Sequence, residues 1–178
     1  LQSILLGQYK TWKELSGSGI KDSIRVVFDK NGSANARYLK EKFLGEKSFP
    51  ANSYATNSSA AVVDYVSKTK GAIGVIGVNW ISDSDDSTTT SFLDKIRVVG
   101  ISQKDSTGTQ MEYYKPYQAY IALKTYPLIR DVMIVNIEGR SGLGTGFASF
   151  VAGDKGQRMI RLMGLLPATM PVRIIQVN

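Results

Sequence analysis

The chain has 178 residues, 43% of them hydrophobic and 21% charged, enough for one sizeable core or two small lobes. It carries neither cysteine nor histidine, which removes disulfides, thiolate zinc sites, cysteine nucleophiles, the Ser-His-Asp triad and the commonest metal ligand. The formal charge of +7 favours anionic partners, yet the basic pairs Lys40/Lys42, Lys68/Lys70 and Arg158/Arg161 are scattered rather than gathered into a tract.

The opening LQSILLGQYK is apolar for only a few residues and lacks the basic flank of a signal peptide, and no apolar run has the length of a membrane span. A chain that opens on Leu1 rather than methionine is expected to be a mature or excised fragment. Gln2–Leu6 reads as the end of a helix stopped at Gly7, Trp12 as part of a short loop, and Ser16–Gly19 as a turn or flexible connector. IRVVFD is then a strand, its unbroken apolar run indicating burial on both faces. After the turn KNGS, Ser33 is the candidate N-cap of a helix whose stripe is Ala36, Leu39 and Phe43, ending at Gly45. The same logic repeats: Asn57 or Ser58 caps, Val62, Val63 and Val66 face inward, and Gly71 lies past the end.

AIGVIGVNW predicts a buried strand or strand pair in which Gly74 and Gly77 permit a bend or a close backbone approach. Ser82–Thr90 is a polar loop whose three aspartates solubilise a surface; a calcium loop would need the glycine and distal glutamate that this stretch lacks. Ile96–Ser102 reads as a strand, KDSTGTQ as a turn and Ala119–Leu123 as a strand. Tyr113, Tyr114, Tyr117, Tyr120 and Tyr126 suit packing against a sheet or between lobes, and stacking on bases or sugars is the costlier alternative. DVMIVNI predicts a strand, and EGRSGLGTG leads into a helix with Phe147, Phe150 and Val151 toward a core. Asp154 to Gln157 reads as a capping box for a further helix with Met159, Ile160 and Met163 on its apolar face, a C-cap at Gly164 and a final strand after Pro167. Strands alternating with helices indicate α/β layers.

Two loops have the composition of anion seats. At Asn31–Arg37, small residues open a helix whose free N–H groups and dipole favour an anion; Ser33 and Asn35 supply hydrogen bonds and Arg37, one turn in, supplies charge. The alternative is an ordinary cap at Ser33 with Arg37 in solvent, and the residues alone leave both open. The second loop, Gly139–Gly146, lacks the G-K-[ST] end of a Walker loop and the third glycine of the dinucleotide fingerprint; a helix-start turn or connector fits it better, with Arg140 and Ser141 available to a polar cleft. Asp64 and Glu138 stand isolated and no serine has a base, so binding is a better class than catalysis.

The order of these segments resembles the periplasmic phosphate-binding protein family of bacterial ABC importers. Asn31-Gly32-Ser33-Ala34-Asn35 looks like that family's D-G-S-G-T loop, and Lys70–Val75 is similar to its P-G-A-I-G-Y strand. Tyr126-Pro127-Leu128 matches its YP element, and Phe147, Phe150, Gly156, Gln157, Gly164 and Pro167 match its tail. The wording GAIGVIGVNWIS and YYKPYQAYIAL is similar to the Bacteroides-type version. The resemblance implies a periplasmic binding protein-like (type II) α/β lobe with a mixed sheet, flanking helices and an incomplete first lobe. Residues 1–20 are then a hinge-proximal helix and connector, residues 21–118 the second lobe, and residues 119–178 a return into the first lobe. The N-terminal portion of the family would precede Leu1, so a second chain or a partner copy is expected to complete the first lobe. Carried across, Ser33 matches the ligand-binding serine, Ala34 the glycine that donates its N–H, and Asn35 the threonine. The family's arginine four residues before that serine is replaced by Asp29, which repels a dianion unless protonated or paired, and Arg37 is the candidate to restore the charge. The resemblance implies a non-enzymatic binder of phosphate or a related oxyanion, without cofactor. Its partner would be an inner-membrane ABC permease, in a periplasmic or envelope setting and as a lipoprotein in full-length form. A structural, signalling or surface-polymer module on the same fold is the alternative; nucleic acid is the weakest partner.

Overall fold

The computed structural model describes residues 1–16, 21–82, 87–102 and 112–169. They fall into two compact units: residues 1–80 with 90–97, and residues 81–89 with 98–178.

The first unit is built on a three-stranded sheet. β1 (Arg25–Phe28), β2 (Ser53–Ala55) and β3 (Ala72–Val75) lie in the order β2-β1-β3, and every pairing is parallel. Val26 sits opposite Ser53 on one side and Ile73 on the other. Parallel neighbours need crossovers, and α3 (Ala34–Phe43) and α4 (Ser59–Lys68) supply them. The central strand is the apolar one, as its run required: Ile24, Val26, Val27 and Phe28 are buried, with Ala36 and Leu39 of α3 and Val62 and Val63 of α4. Both helices have the expected serine caps, Ser33 Oγ accepting from the Ala36 N–H at 3.2 Å and Ser58 Oγ from the Ala61 N–H at 3.1 Å. Gly74 lets α4 lie close on β3: a Cβ there would stand 2.5 Å from Val62 Cγ1 and 3.0 Å from Val66 Cγ2. α1 (Gln2–Leu5) contributes Ile4 and Leu5 to this core and ends at Gly7, whose φ is +71°.

Several local expectations change. Trp12 opens a short helix, α2 (Trp12–Ser16), and its indole Nε1 donates to the Gly71 carbonyl at 3.1 Å, a long-range partner invisible locally. β2 carries no apolar run and was not anticipated; its residues are exposed or half-buried. The AIGVIGVNW segment splits into β3 and a 3-10 turn at Val78–Trp80. Part of the polar loop is helical, in α5 (Ser87–Lys95), where Phe92 is buried. Of the expected strand at residues 96–102, only an isolated antiparallel bridge between Ile101 and Tyr114 forms.

In the second unit, the expected strand Ala119–Leu123 is instead a helix, α6 (Gln118–Ala122), whose Gln118 amide donates to the Arg161 and Leu165 carbonyls, each at 2.9 Å. Tyr120 packs against Tyr114 with ring centroids 4.9 Å apart, in line with a packing role. Residues 131–137 form no strand and are exposed, Val135 at 82% and Ile137 at 93%. α7 (Leu143–Ala152) and α8 (Asp154–Leu162) are present, but Phe147 and Phe150 are 59% and 48% exposed rather than in a core. The D-x-x-Q box is not a box either. Gly153 is the cap position of α8, and buried Gln157 instead donates to the Val151 carbonyl at 2.8 Å and accepts from the Ala168 and Thr169 N–H groups at 2.7 and 3.2 Å. Gly164, at φ +76°, ends α8 as expected. The turn at 17–19, the aspartate stretch 83–86 with its calcium reading, the turn at 104–110 and the final strand lie outside the described residues.

Candidate functional site

The candidate site lies at the carboxyl end of β1, the end at which parallel sheets hold ligands. The chain leaves β1 at Phe28, turns through Lys30–Ser33 with Gly32 at φ +64°, and enters α3 at Ala34. The Ser33 N–H donates to the Lys30 carbonyl at 3.2 Å, which closes the turn. Ser33 is extended, at φ −60° and ψ 161°, so its hydroxyl faces back over the first helical turn and takes the Ala36 N–H. Among the described residues, no acceptor meets the N–H of Ala34 or Asn35, so both remain available at the positive end of the helix.

Asp29 is drawn to this loop. Its Oδ1 accepts the Lys30 N–H at 3.1 Å, and its Oδ2 accepts from Asn35 Nδ2 at 3.3 Å. The Asp29 carboxylate thus engages the Asn35 side-chain amide. The five sequence candidates divide accordingly. Asp29, Ser33, Ala34 and Asn35 share the loop, whereas exposed Arg37 lines an adjacent open pocket and makes no ion pair with Asp29.

That pocket has a volume of about 430 Å³, and Lys30, Arg37 and Lys40 line it with Phe28, Phe49 and Tyr54. Sequence reasoning passed over Lys30, Phe49, Ser53 and Tyr54. The last two belong to β2, whose short half-exposed run carries no periodic signal.

The glycine-rich loop before α7 behaves as a helix-start turn, and Glu138 is not isolated. Its carboxylate accepts the Gly144 and Thr145 N–H groups, both at 2.9 Å, and the Thr145 hydroxyl at 3.3 Å. The Gly144 N–H foremost, then that of Thr145, holds the Glu138 carboxyl below its ordinary value of 4.5. The protein therefore supplies its own anion at this helix start. Asp64 pairs with Lys68 one turn on, at 2.7 Å on an exposed surface. Among the described residues there is no cluster of acidic groups able to hold a metal ion. No helix of the described residues is long and apolar enough to cross a membrane.

A family model described as a PBP superfamily domain matches residues 1–155. The phosphate-binding protein PstS of Bacillus subtilis (strain 168) is 29% identical over 170 residues, 95% of this chain and 49% of that protein. The phosphate-binding protein PstS of Staphylococcus epidermidis is 26% identical over 160 residues, 88% of this chain and 45% of that protein. The chain spans about half the length of these curated relatives. The crystal structure of PstS from Borrelia burgdorferi superposes with a TM-score of 0.59 at 21% identity, over 93% of this chain and 60% of that one, a likeness of fold.

Proposed function

Because the chain belongs to the PBP superfamily, whose domain covers residues 1–155, we propose that it is the ligand-binding portion of a solute-binding protein for ABC-type import, its ligand phosphate or a related oxyanion. The observation that carries this reading is the Ser33–Asn35 loop: it resembles the family's D-G-S-G-T loop and offers two unpaired helix-start N–H groups beside the carboxyl end of the central strand. In this reading the Ala34 and Asn35 amides and the Ser33 and Asn35 side chains hold the oxyanion, Asp29 accepts a proton or hydrogen bond from it, and Arg37 supplies charge. Closure of two lobes over the ligand shifts the protein toward the state an inner-membrane permease accepts. Residues 21–118 belong to one lobe and residues 119–178 return into the other, in a periplasmic or envelope protein that carries no catalysis. The half of the relatives that this chain does not span would complete the first lobe, as a preceding segment, a second chain or a partner copy. The exposed apolar run at residues 132–137 supports that part of the reading.

Titration calorimetry with inorganic phosphate tests the proposal, on this chain and on a version extended to the relatives' full length. Binding by the extended protein that Ser33→Ala weakens is the expected result; absence of heat from it overturns the phosphate assignment. The Asp29–Asn35 hydrogen bond favours a second reading, a module that keeps the fold and binds a protein or surface polymer, since the loop's amide is already engaged.

A further inference from the structure

The pocket beside the loop has features that an inorganic oxyanion does not need. Arg37 and Lys40 stand one turn apart on α3, and with Lys30 they place three cations around it. No aspartate or glutamate lines the pocket, and among the described residues none of the three cations is in an ion pair. Phe28 and Phe49 line it too, their ring centroids 4.8 Å apart and tilted by 49°, and Tyr54 adds a further ring. Ser53 is among the lining residues, but its hydroxyl is shielded from solvent and does not open into the pocket. The volume of about 430 Å³ lies within the range of pockets for small organic ligands, about 300–1,000 Å³.

We infer that this pocket is a ligand site of its own, for a small phosphate monoester with a flat apolar body. The dianionic head meets Lys30, Arg37 and Lys40, which together offer the positive charge that Asp29 subtracts from the neighbouring loop. The apolar body lies against Phe49 and the exposed Tyr54 ring, where burial of carbon surface adds affinity that a bare phosphate lacks. Ser33, Ala34 and Asn35 do not line the pocket, so the two sites are adjacent and share only Arg37, while Lys30, Lys40 and the aromatic rings belong to the pocket alone.

Phenyl phosphate is the probe, titrated calorimetrically into the full chain alone and in the presence of excess inorganic phosphate. Lys40→Gln is the deciding variant, because Lys40 is not a core residue and has no place in the loop. Phenyl phosphate is expected to bind under both conditions, more tightly than phenol, and to lose roughly three- to tenfold in affinity in Lys40→Gln. Absence of binding, an affinity no greater than that of inorganic phosphate, equal affinity for phenol, or an unchanged affinity in Lys40→Gln each overturns the inference. Should inorganic phosphate fail to bind the version extended to the relatives' full length while Lys40-dependent binding of phenyl phosphate persists, the phosphate assignment falls and the pocket stands.

Discussion

At the scale of single residues, Asp29 bears most on the proposed oxyanion loop. Its carboxylate engages both the Lys30 N–H and the Asn35 side chain. Asp29→Arg exchanges a repulsive charge for a forked donor and frees that amide. It should raise affinity for inorganic phosphate by roughly tenfold or more, measured by calorimetry, if the loop is a latent oxyanion site. An unchanged isotherm would favour the repurposed module. Ser33 is a cap in either case, so Ser33→Ala should lower stability by about 1 kcal/mol in urea denaturation. Glu138 adds a pH dependence. Its folded-state pKa lies below the ordinary 4.5, so the stabilisation is present above that value and fades as pH falls through the lower folded value. Amide exchange at Gly144 and Thr145, corrected for intrinsic rates, should accelerate in acid in the native chain. In Glu138→Gln it should be fast and nearly flat with pH.

At the scale of elements, packing decides where pattern is silent. The approach of α4 to β3 depends on the missing side chain at Gly74; Gly74→Ala should cost about 1–3 kcal/mol, read from chemical denaturation, because the new Cβ would stand 2.5 Å from Cγ1 of the buried Val62. The first unit was largely legible in the residues: a continuous apolar run for β1, serine caps and apolar stripes for α3 and α4, glycines past their ends. β2 was not, since three half-exposed residues become a strand only through hydrogen bonds to β1. Ala119–Leu123 has the aromatic and apolar content of a strand and is helical, with Gln118 tied to the end of α8. Ser33 is legible in the sequence as the cap of a helix start, whereas the hydrogen bond between Asp29 and Asn35 depends on how the turn folds back on the helix. The Lys30–Arg37–Lys40 pocket is invisible in the sequence because its walls come together only when β1, α3 and β2 fold against one another with their connections.

At the scale of the whole molecule, the buried apolar side chains of the described residues belong to the first unit apart from Pro167, whereas the second exposes Val132, Met133, Val135, Ile137, Leu143 and Phe147. A contiguous exposed apolar stretch of this kind marks a surface that functions covered. Dye binding to exposed apolar surface should therefore be strong for this chain and fall in the double variant Val135→Lys, Ile137→Lys. It should also fall in a version extended to the relatives' full length, and strong binding there would argue against the missing half as the cover. The central place of β1 has a consequence of a different kind. Both of its neighbours, β2 and β3, follow it in the chain. During synthesis from the N-terminus, the most apolar strand leaves the ribosome with both edges open. At about 5–20 residues per second it waits on the order of seconds before either partner exists. In that interval its backbone can be satisfied only by water or by a chaperone, so slowing translation between Phe28 and Ser53 should cost soluble yield more than the same delay placed after Val75.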